Sequence, residues 1–78
     1  MDNQRYLELA REYETEAATE YALFEKYNRY AKSELSEYMS QDQQAAYEVY
    51  SDAASYHWDK YYEYSALAEQ YKNWAQNR

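Results

Sequence analysis

One histidine and fifteen acidic residues are where any acid–base or metal chemistry in this 78-residue chain would have to begin. Glu16 with Glu20 and Glu34 with Glu37 are carboxylate pairs spaced about one helical turn apart, and such pairs bridge two metal ions in helical bundles. Those sites also draw their histidines from a Glu-x-x-His motif, and the residue three before His57 is Ala54. With no cysteine and a single histidine, a zinc or haem site is short of ligands. No Ser, Cys or Asp stands at a spacing that marks a triad with His57, and there is no glycine to build a phosphate-cradling loop or an oxyanion turn. The sequence is therefore expected to hold no catalytic residue, metal or cofactor, and not to be an enzyme. His57 is expected as a core histidine hydrogen-bonded to a tyrosine hydroxyl, with a pH-sensitive role as the alternative.

The carboxylates make a different pattern. Glu8, Glu12, Glu16 and Glu20 recur every four residues, which on a helix is a ladder rising about 6 Å per step. Like charges at this spacing cost a few tenths of a kcal/mol per pair, so their repetition invites a reason. The ladder is expected to meet a basic surface on a protein partner, and mimicry of a row of DNA phosphates is one form of that reading. Its drift around the helix counts against a straight phosphate row, and a solvated face that maintains solubility is the plainer account. A net charge of −7 opposes direct binding to nucleic acid or to an anionic membrane. Met1 leads directly into charged residues, and no apolar run is long enough for a signal peptide or a membrane span, so a cytoplasmic protein is expected.

The remaining unusual chemistry is aromatic. Tyrosine occurs thirteen times against one phenylalanine, and the stretch Y-H-W-D-K-Y-Y-E-Y at 56–64 crowds five rings and the histidine together. On a helix those rings occupy more of the circumference than one neighbour can cover. Tyr61 and Tyr64 lie on the main apolar stripe. Trp58 and Tyr62 are expected on a second face with Tyr47 and Ala54, beside Ser51, Ser55 and Ser65. Trp and Tyr anchors among small uncharged residues have the composition of an interface core, so this face is expected to form a homodimer or to receive another partner.

The elements that position these groups follow from the absence of glycine and proline and from an abundance of good helix formers. Tyr6, Ala10, Tyr13, Ala17, Tyr21, Phe24, Tyr27, Ala31, Leu35 and Tyr38 make one helical stripe, predicting a helix over about 3–38. A second stripe of Ala46, Val49, Tyr50, Ala53, His57, Tyr61, Tyr64, Leu67, Ala68, Tyr71 and Ala75 predicts a helix over about 42–76. The turn falls at about 39–42, where Ser40 followed by Gln43 fits a capping box and Asp42 suits the first turn. A continuous rod, or a further break near Ser33 or Ser36, is the alternative. The expected architecture is all-α: one domain, 1–78, forming an antiparallel hairpin of two long amphipathic helices in which rings on one helix lie over alanines of the other. A single core of this size supplies only about 3–5 kcal/mol, so two hairpins are expected to dimerise into a four-helix bundle.

In size and charge the chain resembles the short, cysteine-free acidic inhibitors encoded by phages and mobile elements. The likeness is one of general character and assigns no residue. It implies a small acidic module that inhibits a host protein, such as a nucleic-acid-handling one, by protein–protein contact. A structural or adaptor bundle whose role is homodimerisation and scaffolding is the second reading.

Overall fold

The structure, a computed structural model, describes residues 3–76. Helix α1 spans Asn3–Glu34 and α2 spans Gln41–Gln76. They pack against each other along their length as a hairpin whose backbone extends 58 × 14 × 12 Å.

The reversal occurs at residues 35–40, earlier than the sequence pattern suggested. Leu35 and Tyr38 extend the periodic stripe of α1, yet they lie beyond its end and are 54% and 85% exposed. The helix closes with Leu35 N–H donating to the Lys32 carbonyl, a tightened final turn, while the Ser33 hydroxyl donates to the carbonyl of Tyr30. Without glycine the chain needs several residues in extended or bent conformations to turn back, and Leu35–Ser40 supply them.

The start of α2 is set by Ser40. Its backbone N–H donates to Gln43 Oε1 at 2.9 Å, and Gln43 N–H donates to Ser40 Oγ at 3.1 Å, which is the reciprocal capping box. The Ser40 carbonyl accepts the N–H of Gln44 at 3.0 Å, and Asp42 lies in the first turn. A carboxylate there interacts favourably with the positive end of the helix dipole.

Two seams seven residues in period join the helices. On one, Ala10, Ala17 and Ala31 of α1 and Ala54, Ala68 and Ala75 of α2 are the buried apolar residues. Phe24 fills the vacant place in the α1 series, and Tyr47 and Tyr61 fill those of α2. Side chains this small let the backbones approach closely, and rings then pack beside the alanines rather than between the helices.

The second seam is a staggered column of rings. Tyr71 stacks on Tyr6 and on Tyr13 at centroid distances of 6.2 and 5.8 Å, and Tyr13 continues onto Tyr64 at 5.9 Å. Beyond a break the column resumes with Tyr27 stacked on His57 at 5.5 Å and on Tyr50 at 6.4 Å. These pairings fix the antiparallel register: residue 6 faces 71, 13 faces 64, 20 faces 57 and 27 faces 50. None of the thirteen tyrosines is fully buried, so the column leaves its hydroxyls at the rim, where water can satisfy them. Val49, expected on the inner stripe, is exposed. It sits one residue before Tyr50, which takes the contact with α1 instead.

Candidate functional site

The break in the ring column is occupied by the histidine. His57 Nδ1 lies 2.5 Å from Glu20 Oε1, and both side chains are largely covered, at 18% and 16% exposure. A carboxylate can only accept, so Nδ1 carries the proton in this bond. The imidazole is sandwiched laterally, parallel to Tyr27 and edge-on to Tyr56 at 5.1 Å. The expected tyrosine-hydroxyl partner is thus replaced by a carboxylate from the opposite helix, because the register sets Glu20 level with His57.

This pairing divides the acidic ladder. Glu8, Glu12 and Glu16 are exposed, with Glu8 3.6 Å from Arg5 on the preceding turn. Glu20 is turned into the hairpin and committed to His57, so it does not belong to the same outward surface. The drift of an i,i+4 series around a helix with about 3.6 residues per turn produces this change of role. Glu14, outside the ladder, accepts a hydrogen bond from Lys72 Nζ of α2 at 3.2 Å.

Four residues were expected on a face turned away from the hairpin. Ala54 is buried in the contact between α1 and α2, and Tyr47, seven residues earlier on the same line of α2, is half-buried. Trp58 packs on Phe24 at 5.0 Å and lies near Tyr21 at 6.4 Å and Tyr61 at 5.3 Å, yet 39% of it remains exposed. Tyr62 is 68% exposed. Trp58 therefore straddles the edge of the hairpin, and Tyr62 stands outside it.

Around Trp58 the surface is grooved. An open depression of about 450 Å³ is lined by Phe24, Asn28, Ser51, Ala54, Ser55, Trp58 and Asp59. A second, of about 350 Å³, runs along the same side between Ala17 and Ala18 of α1 and Tyr61, Ser65 and Ala68 of α2, with Glu14 and Lys72 at its edge. Tyr62, Ser65 and Ala66 border a third with Tyr61. The serines at 51, 55 and 65 were legible as small neighbours of Trp58. The Tyr21–Phe24–Trp58–Tyr61 cluster was not, since nothing local indicates which ring of α1 sits opposite Trp58.

On the other side of α2, Lys60 Nζ lies 3.4 Å from Glu63 Oε2 and 5.7 Å from the centre of the Tyr56 ring. The charge of Glu63, its hydrogen bond and the adjacent tyrosines hold the Lys60 ammonium above its usual pKa. Among the described residues no group of three or more His, Cys, Asp or Glu converges as a metal site, and no helix is long and apolar enough to cross a membrane. No protein-family model, curated protein or solved structure matches the chain.

Proposed function

We propose that this chain is a small acidic protein-binding module that acts by protein–protein contact. Its apolar anchor is the grooved face around Trp58 and Tyr62, and its charged flank is Glu8, Glu12 and Glu16. The observation that carries this reading is that large rings stand half uncovered on a hairpin whose fully buried residues are all alanines. A monomer of 9.5 kDa usually exposes about 5,000 Å², whereas this one exposes 5844 Å². The difference follows from the elongated shape, 58 × 14 × 12 Å, which leaves both broad faces of the helix pair open to a partner.

In this reading two hairpins associate into a four-helix bundle, and the outward carboxylates engage a basic surface on a protein partner in the cytoplasm. Rings supply affinity, and charge supplies rate and selectivity. Inhibition of a host nucleic-acid-handling protein, as the small phage-encoded acidic inhibitors do, is the form of action that this division of labour suits best. The test is affinity capture from source cells with the wild-type chain and with the E8K/E12K/E16K variant as baits, followed by reconstitution from purified components. A partner with a basic surface, held by wild type, released by salt and lost by the triple variant, is the expected result. If duplex DNA competes for that partner, the acidic flank imitates phosphates. If no partner distinguishes the two baits, the charge-guided reading fails and a scaffolding role remains.

A further inference from the structure

The grooved face has a pattern that fits a second copy of itself. Along α2, Ser51, Ser55, Trp58, Tyr62 and Ser65 follow one another at alternating spacings of four and three, which is a coiled-coil repeat distinct from the two seams already used within the hairpin. It is uncharged from 51 to 65, with Glu48 one step before it and Glu69 and Lys72 beyond. Small residues flank two large ones, so an antiparallel copy can set large against large at the centre with Ser55 against Ser65 on either side.

From this we infer that two hairpins pack face to face about a two-fold axis, with α2 antiparallel to the α2 of the second copy and Trp58 against the second copy's Tyr62. The inference rests on the self-association proposed above and specifies its surface and register. Setting 58 against 62 sets Ser55 against Ser65 and Ser51 against Glu69, and at both ends it brings Glu48 to Lys72 of the second copy, whose ammonium also meets Glu14 of its own hairpin at 3.2 Å. The centre of this arrangement is level with residue 60 of α2. The hairpin register, in which 13 faces 64 and 20 faces 57, brings that level to residue 17 of α1.

Ala18, which lines the groove shared with Ser65, lies one residue from the axis, where a small side chain lets two helices approach. One step outward, Tyr21, a ring left half exposed, is carried toward the second copy's Glu14 and the depression beside Ala17. About two turns from the axis, Arg11 and Glu25 of the second copy come within two residues of the same level, inside the reach of their long side chains. Both helices thus present steric and charge complementarity in one register, and the reciprocal contacts are those of an isologous interface.

The chain contains no cysteine, so single cysteines report the axis directly. Under mild oxidation Ala18→Cys should give a covalent dimer, since a disulfide needs Cα atoms within about 7 Å. Ala22→Cys, on the outer side of α1, should remain uncross-linked. Sedimentation of the uncross-linked proteins should show a wild-type dimer that Tyr62→Ser weakens at least about tenfold, with helicity retained because Tyr62 stands outside the hairpin. Arg11→Glu and Glu25→Arg should each weaken it, and together restore it. A wild-type chain that is monomeric at all concentrations overturns self-association itself. A wild-type dimer that Ala18→Cys does not cross-link, and that the double charge reversal does not restore, overturns this register alone.

Discussion

Glu20 and His57, 37 positions apart in sequence, meet at 2.5 Å across the hairpin, at a level where the column of stacked rings between Tyr13–Tyr64 and Tyr27–Tyr50 is interrupted by a charged group. A hydrogen bond from an imidazole to a partly buried carboxylate is stronger than a neutral one and fixes which residues lie opposite each other. It contributes to register as well as to stability.

Glu20→Ala should therefore destabilise the hairpin by about 1.5 kcal/mol, a fall in melting temperature of about 6–12 °C for a chain of this size. Glu20→Gln, whose amide oxygen still accepts the Nδ1 proton, should lose less than half of that. Chemical denaturation of both variants checks the order. The assignment fails if Glu20→Ala is no more disruptive than Glu12→Ala or Glu16→Ala, whose side chains are exposed.

Ser40→Ala should cost about 1 kcal/mol, since it removes the oxygen that caps the N–H of Gln43. Gln43→Ala removes the returning bond to Ser40 N–H. The two losses should be less than additive in a double-mutant cycle, because either substitution dismantles the same reciprocal pair. Full additivity in denaturant titrations would mean that the cap acts as two separate bonds.

Much of the fold was legible, and the physics explains which part. The capping box is local, so S-Q-D-Q at 40–43 disclosed it. Helical periodicity is also local, and it correctly placed Ala10, Ala17, Ala31, Ala68 and Ala75 on the inner stripes. It ran past the end of α1 because Leu35 and Tyr38 keep the period, while termination depends on where the chain can reverse. A helical stripe through Ala53 and His57 leaves Ala54 on an outer face, but its burial follows from the seven-residue seam of Ala54, Ala68 and Ala75. The partners of Glu20 and Trp58 lay beyond any local signal, since a one-step change in the hairpin register would exchange them.

The alanine seam should resist enlargement at some positions and not at others. Ala17 is buried and faces α2, so Ala17→Leu should force the helices apart and cost about 1–3 kcal/mol. Ala22→Leu, on the exposed side, should change stability by no more than about 0.5 kcal/mol. Denaturation midpoints compared between the two variants decide the matter, and equal effects would contradict close approach of α1 and α2 at residue 17.

Lys60 carries the alkaline prediction. Its pKa is raised first by the charge of Glu63, then by their hydrogen bond, with Tyr56 and Tyr64 adding to the effect. A group whose pKa is higher in the folded chain binds its proton more tightly there. Its stabilising contribution is whole below the ordinary lysine value of 10.5 and is lost as pH rises through the raised folded value. Solvent screens this exposed pair, so the effect on stability is small. The thirteen tyrosines also ionise near pH 10, which would obscure it in any global measurement. The ammonium resonance of Lys60 itself, followed by NMR, reports the shift cleanly. Glu63→Gln removes the leading cause and should bring the titration midpoint down toward that of a free lysine, whereas Asp59→Asn, which is not among the causes, should leave it in place. A midpoint insensitive to Glu63→Gln would assign the elevation to the aromatic side of the site, where the ammonium lies 5.7 Å from the Tyr56 ring.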